Sequence, residues 1–258
     1  MEERSEVKSS YLELQAFAGI TKHLGGKKAT KELVDLCHVE GGKYVLDVGC
    51  GVGATSCYLA KEYDCQVVGV DISDTMIEWS RERAVKEDVN DKVEFRVADA
   101  RDLPFQNSVF DVVIVESVNA FIEDKKRAVS EYVRVVKPGG NVGLNETFLK
   151  KEPSPELVEA MSRLDVDILT SEGWRRLLED AGLKNVTEQT YDVSTLGEII
   201  DRVRLLGASR ILRAWYRVLS LYIGDPSSRK WIREELSSVD KTKVFMDNCG
   251  YGLYTGQK

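Results

Sequence analysis

Tyr44-Val45-Leu46-Asp47-Val48-Gly49-Cys50-Gly51-Val52-Gly53 is the stretch that decides how this chain folds. Its mostly apolar first half reads as a buried strand that closes on an acid. Glycine then takes every second position, and the pattern turns helical from Ala54 to Tyr63. Glycines let the backbone turn sharply and approach a ligand with no Cβ in the way. The helix N-terminus that follows offers free N–H groups to a polar or anionic ligand. The expectation is a nucleotide-type pocket at the C-terminal end of a strand. Gly49, Gly51 and Ala54 also satisfy the G-x-G-x-x-G/A dinucleotide pattern, a weak match when taken alone.

Acids recur where the next strands end. Gln66-Val67-Val68-Gly69-Val70 runs into Asp71, suited to the hydroxyls of a ribose. Val93-Glu94-Phe95-Arg96-Val97-Ala98 runs into Asp99, which can accept from an exocyclic amine. Asp47 would repel a pyrophosphate and attract a cationic ligand. Strand and helix patterns alternate to residue 148, which predicts βαβ units, right-handed crossovers and a parallel sheet. Strands are expected at 44–48, 66–70, 93–97, 110–116 and 141–148, with helices near 54–62, 74–86 and 124–136. Asp74 reads as the cap of the second of these helices, and Pro138-Gly139-Gly140 as the turn into the fifth strand.

Before that block, residues 1–9 read as disordered, and a helix spans Ser10 to Leu24 until Gly25-Gly26 ends it. Thr30 is placed to cap another helix over Lys31 to Cys37. Beyond residue 150, helices are expected at Glu156–Leu164 and Ser171–Ala181, then a strand at Lys184–Val193. Residues 195–247 read as helical, in pieces over Leu196–Leu206, Ser209–Tyr222 and Ser227–Leu236. A last strand, Tyr251–Gly256, is expected to pair antiparallel with 184–193.

Val45 to Gly53, Val68-Gly69-Val70-Asp71-Ile72-Ser73, Ala98-Asp99-Ala100, Leu103-Pro104-Phe105, Phe110-Asp111-Val112-Val113 and Val136-Lys137-Pro138-Gly139-Gly140 occur in that order. With them the chain resembles the class I S-adenosylmethionine-dependent methyltransferases of the small-molecule, type 11-like kind, over roughly residues 40–148. The resemblance implies a Rossmann-like, seven-stranded, mostly parallel α/β sheet whose last strand is antiparallel. It also implies an N-terminal helical lid over 1–38, a core over 39–194 with 248–258, and a helical insertion over 195–247 serving as substrate lid or dimer face. Asp47 would then face the cationic methionine end of S-adenosylmethionine. Gly49, Cys50 and Gly51 would allow close backbone approach, and Asp71 would take both ribose hydroxyls. Ile72 and Met76 would pack on the adenine, and Asp99 with Ala100 would read its edge. S-adenosylhomocysteine would be the product.

Acceptor-side residues are less determined. Glu116 ends the fourth strand, where this class often carries substrate-side or catalytic groups. It is the candidate catalytic residue, with solvation at the rim as the plain alternative, because a carboxylate after an apolar run needs a partner or water. Asn145 and Glu146, ending the fifth strand, are candidates for the acceptor side, as are Tyr11 and His23 in the lid. Trp215, Tyr216, Tyr222 and Trp231 either line an acceptor pocket or form a dimer face, with core packing as the ordinary reading. Glu116-Ser117-Val118-Asn119 departs from the Asn/Asp-Pro-Pro-Tyr/Phe pattern of amino-methylating DNA and protein-glutamine enzymes, which disfavours those substrates.

Composition bounds the rest. The chain has 258 residues, 43% hydrophobic and 31% charged, as in a soluble globular protein. No apolar run approaches the ~20 residues of a membrane span, and the acidic start Met1-Glu2-Glu3-Arg4-Ser5-Glu6 is not a secretion signal. A cytoplasmic location is expected. Five cysteines, at 37, 50, 57, 65 and 249, and two histidines give no metal-site spacing. The net charge of −7 disfavours a nucleic-acid partner, yet residues 202–233 hold eight Arg and Lys against Asp225 alone. Alternatives to a small-molecule methyltransferase are a cofactor-binding partner subunit without activity, an arsenite methyltransferase and an NAD-dependent oxidoreductase. Asp47 and the later motifs disfavour the last of these.

Overall fold

Strands with apolar side chains on both faces require a sheet covered by helices on both sides. The computed structural model, which describes residues 23–193, 208–224, 229, 245 and 247–258, has that architecture. Helix α1 (Gly26–Leu36) precedes β1 (Tyr44–Val48), α2 (Ala54–Tyr63), β2 (Gln66–Asp71), α3 (Asp74–Lys86) and β3 (Val93–Val97). Next come β4 (Phe110–Glu116), a 3-10 turn at Asn119–Phe121, α4 (Lys125–Val135) and β5 (Val136–Leu149). The chain continues through α5 (Pro155–Leu164), α6 (Ser171–Asp180), β6 (Lys184–Asp192), α7 (Ala208–Gly224) and β7 (Cys249–Gln257).

The seven strands run in the order β3-β2-β1-β4-β5-β7-β6. Pairs among β1 to β5 are parallel, and β7 is antiparallel to both its neighbours, as the sequence implied. Chain order reverses between β2-β1 and β1-β4, so the ligand crevice of such a sheet opens at the C-terminal ends of β1, β2 and β4.

Alternation along the strands sorts side chains between two cores. Val45, Val67, Val112 and Ile114 pack with Leu33, Leu59 and Ile77 from α1, α2 and α3. Leu46, Val48, Val113 and Val115 pack on the other face with Tyr132, Val135, Trp174 and Leu178 from α4 and α6. With a period of two, Asp47 and Glu116 both fall on the α1–α3 face, at the top of the sheet. That parity brings the two acids toward one another.

Four local expectations are corrected. Gly25, at φ 76°, caps α1, which begins at Gly26; Thr30 lies inside the helix, its hydroxyl donating to the buried Glu116 and to the Gly26 carbonyl instead of accepting an N–H at the helix end. Ser73 caps α3 by accepting from the Met76 N–H, and Asp74 instead sits in the first turn, where its charge favours the helix dipole. Pro138-Gly139-Gly140 is not a turn ahead of β5 but a bulge within it, since Phe110 pairs with Val136 and Val112 already with Asn141. β7 starts at Cys249, two residues before the expected Tyr251. The helices expected over Ser10–Leu24, Leu196–Leu206 and Ser227–Leu236, and the disorder expected over 1–9, fall mostly or wholly outside the described residues.

Candidate functional site

The glycine loop leaves β1 and is held from β2: the Gly49 and Cys50 N–H groups both donate to the Val70 carbonyl, at 2.7 and 2.9 Å. Gly49 has φ +70°, and a Cβ there would come within 2.2 Å of the Val118 side chain. Glycine is therefore required where the loop after β4 crosses it. Gly51 turns its N–H onto Asp71 Oδ2 at 2.9 Å, and the Ser73 N–H donates to Asp71 Oδ1, also at 2.9 Å. Asp71 is thus fixed between the glycine loop and the start of α3. Burial raises its pKa, and the Ser73, Gly51 and Ile72 N–H groups pull against that rise. Ile72, next along, is 66% exposed, as an apolar wall open to a ligand would be. Met76 is buried and so less open than Ile72.

Asp47 is only 2% exposed and accepts a 2.5 Å hydrogen bond from Ser56 in α2. Burial pushes its pKa up to about 7, opposed by the Ser56 hydroxyl and reinforced by the charges of Glu116 and Asp71. Its carboxyl therefore lies beneath the loop instead of standing open in the crevice. Asp99 is half-buried and forked by Arg101: Nη2 lies at 2.7 Å and Nε at 3.0 and 3.1 Å, with the Arg101 N–H at 2.8 Å. The Arg101 hydrogen bonds hold its carboxyl below the usual range. Ala100 is half-buried against the α4 side of the sheet. The segment after Asp99 is tied down by α4, because Glu131 accepts the Leu103 N–H and Arg134 donates to the Leu103 and Phe105 carbonyls.

Glu116 is neither solvated at a rim nor open to an acceptor. Its side chain is 5% exposed and turned toward α1 and α2. Thr55 donates to Oε2 at 2.6 Å, Thr30 to Oε1 at 3.0 Å, and Asn145 Nδ2 to Oε1 at 3.3 Å. His23 Nδ1 lies 3.7 Å from Oε1, and its Nε2 is 3.4 Å from the Thr30 hydroxyl. Asn145 also donates to the Leu24 carbonyl at 3.1 Å, which fastens the segment before α1 to the sheet. Its Oδ1 is buried without a hydrogen-bond partner among the described residues. Ser117, at φ 57°, then takes the left-handed conformation that turns the chain out of β4.

Glu146 is a latch and not a substrate wall. Fully buried, it accepts from the Val118 N–H at 3.1 Å, the Asn119 N–H at 2.8 Å and Asn119 Nδ2 at 2.9 Å. Burial raises its pKa to about 7 despite those donors. Trp215 and Tyr216, read as acceptor-pocket candidates, are 58% and 71% exposed on α7. Tyr222 is half-buried, with the Arg229 guanidinium 5.9 Å from its ring. Tyr11 and Trp231 lie outside the described residues. Cys50 is buried in the loop, and all five cysteines are buried free thiols, which fits packing roles. Among the described residues no cluster of metal-ligating side chains occurs.

The sequence reading missed Thr30 and Thr55 as partners of Glu116, and Arg101 as the partner of Asp99. Thr55 carried a sign in hindsight: a hydroxyl two residues past the last loop glycine sits in the first turn of α2, beside the strand ends.

A family model described as a methyltransferase domain matches residues 46–144. An uncharacterized protein of Haemophilus influenzae is 31% identical over 197 residues, covering 73% of this chain and 78% of that protein. Phosphoethanolamine N-methyltransferase 3 of Arabidopsis thaliana is 34% identical over 163 residues, 63% of this chain, and the chain spans only 33% of that protein's length. A solved SAM-dependent methyltransferase from Thiobacillus denitrificans, in complex with S-adenosyl-L-homocysteine, shares the fold with a TM-score of 0.73 at 19% identity, over 95% of this chain and 96% of that one. The chain belongs to the class I S-adenosylmethionine-dependent methyltransferases and takes S-adenosylmethionine as methyl donor. The residues fit that donor: a fixed carboxylate for a diol, an exposed apolar neighbour for a base, and acids around one loop for a cation.

Proposed function

We propose that this enzyme methylates a small-molecule acceptor, with the donor lying along the glycine loop between Asp71 and the first turn of α2. The observation that carries this reading is the grouping of Asp47, Asp71 and Glu116 at adjacent strand ends around that loop. Such a wall disfavours a pyrophosphate and favours a sulfonium and an ammonium. The bound donor supplies a methyl group on a sulfonium that is already a good leaving group, and transfer is an in-line displacement. What the chain supplies is chiefly position. Asp71 orients the ribose, Ile72 covers the base, and Asp99 with Ala100 reads its edge. Asp47 and Glu116 set the negative potential under the methionine end. Glu116, held by Thr30, Thr55 and Asn145, acts as a positioning residue and not as a general base.

The acceptor is small, in part apolar and in part anionic. Tyr222, half-buried on α7 with the Arg229 guanidinium beside it, supports this, and the Arabidopsis relative makes phosphoethanolamine the first compound to assay. We place the acceptor lid in 1–38 and 195–247 and the catalytic core in 39–194 with 248–258. A negative net charge supports a metabolite rather than a nucleic acid, and five free thiols support a reducing, cytoplasmic setting. Incubation with methyl-labelled donor and fractionated metabolites should move label into one acceptor pool and release S-adenosylhomocysteine. Persistent absence of transfer across broad pools, with donor binding intact, would sink the reading in favour of a partner subunit.

A further inference from the structure

α7 is 17 residues long and contains no Asp or Glu. Leu212, Trp215, Tyr216, Leu219 and Ile223 recur at i, i+3, i+4, i+7 and i+11, the spacing of one helix face. All five are between 55% and 71% exposed. At 1.5 Å per residue the stripe runs for about 16 Å. Isolated exposed apolar side chains are ordinary, but a contiguous stripe marks a surface that meets something. Arg213 is exposed beside it. Arg217 is seated over the Trp79 ring of α3 at 4.0 Å, so the helix is tied to the body of the protein through a flank other than the stripe.

We propose that α7 is an interfacial helix that lays this stripe into an anionic lipid surface. Charge selects the occupant. The helix has no acid, and Arg213 stands exposed beside the stripe, in a chain of net charge −7. An anionic surface attracts this face and repels the rest, which fixes the orientation of the enzyme. A second copy is the weaker partner, because a two-fold contact repeats the same patch and sets arginine near arginine with no acid from the helix between them. Trp and Tyr on the stripe suit the boundary between headgroups and acyl chains. Among the described residues no helix is long and apolar enough to cross a membrane, so the contact lies in the interface.

The test uses the full chain and sedimentation with two vesicle preparations, phosphatidylcholine alone and phosphatidylcholine with phosphatidylglycerol. Binding should be at least about tenfold stronger to the anionic vesicles and should weaken in high salt. Leu219→Glu should lower it about tenfold, and Arg213→Glu should remove the preference for anionic lipid. Both variants should keep the wild-type affinity for S-adenosylhomocysteine, which shows that they fold. No binding to either vesicle, equal binding to both, or binding that Leu219→Glu leaves unchanged would overturn the proposal. Sedimentation equilibrium showing a dimer that Leu219→Glu splits, without vesicle binding, would assign the stripe to a second copy instead.

Discussion

Asp71 is held at both oxygens, by the Gly51 and Ser73 N–H groups, and so cannot rotate away from the glycine loop. Each oxygen keeps a further lone pair, enough for the two hydroxyls of a ribose. Asp71→Ala should therefore cost about 1–3 kcal/mol of cofactor affinity, read by calorimetry with S-adenosylhomocysteine; an unchanged affinity would remove Asp71 from the site. Glu146 makes a different prediction, about pH. Its folded pKa is about 7 because of burial, against ~4.3 for an unfolded glutamate. Between those values the folded chain holds a proton that the unfolded chain has released. The stabilisation is complete below the unfolded value and is lost as pH rises through the folded one. Gln cannot ionise, keeps an oxygen for the three donors of the 118–119 turn, and puts its amide where Oε2 now has no partner. Relative to wild type, Glu146→Gln should gain stability on the order of 1–3 kcal/mol from pH 4 to pH 8, read as diverging melting temperatures. A difference that stays flat with pH would show that Glu146 carries no such proton.

At the scale of elements, Glu116 joins α1, α2, β4 and β5 in one buried knot through Thr30, Thr55 and Asn145. A buried carboxylate short of a donor is expensive, so Thr55→Val should destabilise by about 1–3 kcal/mol. The same substitution should do markedly less harm in a Glu116→Gln background, a coupling of about 1 kcal/mol or more in a double-mutant cycle. Additive losses in denaturant unfolding would mean that the two groups do not depend on each other. Much of this region could be read in advance. Val112-Val113-Ile114-Val115 and the acids closing β1 and β2 announce strands and a ligand edge, because burial and the period of two are local properties. The partnership of Glu116 was hidden because Thr30 resembles a helix cap in one dimension, and only packing turns its hydroxyl inward across 86 residues of sequence separation. The partners of Glu146 are hidden in the sequence for the same reason: Val118 and Asn119 meet it only once β4 and β5 are in register. The exposure of Trp215 and Tyr216 was equally illegible, since an amphipathic pattern does not say which face finds the core.

For the whole molecule, the sheet closes without residues 195–244. β6 and β7 are antiparallel neighbours, with Asp192 opposite Gly250 and the Tyr191 and Tyr251 rings stacked at 4.9 Å. The chain therefore leaves the sheet and returns to it at nearly one point, as a hairpin does, and a short turn can span that gap. Phe245 packs against two of the core clusters, so the replacement should begin after Ser194 and stop before Phe245. Asp47, Asp71, Asp99 and the glycine loop all belong to the half of the sheet formed before residue 100, remote in the chain from the excised block. Folds of this kind vary their chemistry through grafted segments and not through the scaffold. The shortened chain should bind S-adenosylhomocysteine within about threefold of the full protein, less than 1 kcal/mol, yet transfer no methyl group to the natural acceptor. Calorimetry with the product checks the first half, and label transfer to the acceptor found for the full chain checks the second. If the shortened enzyme methylated that acceptor with unchanged kcat/KM, recognition would lie in residues 1–38, where His23 and Leu24 already reach the Glu116 knot through Asn145.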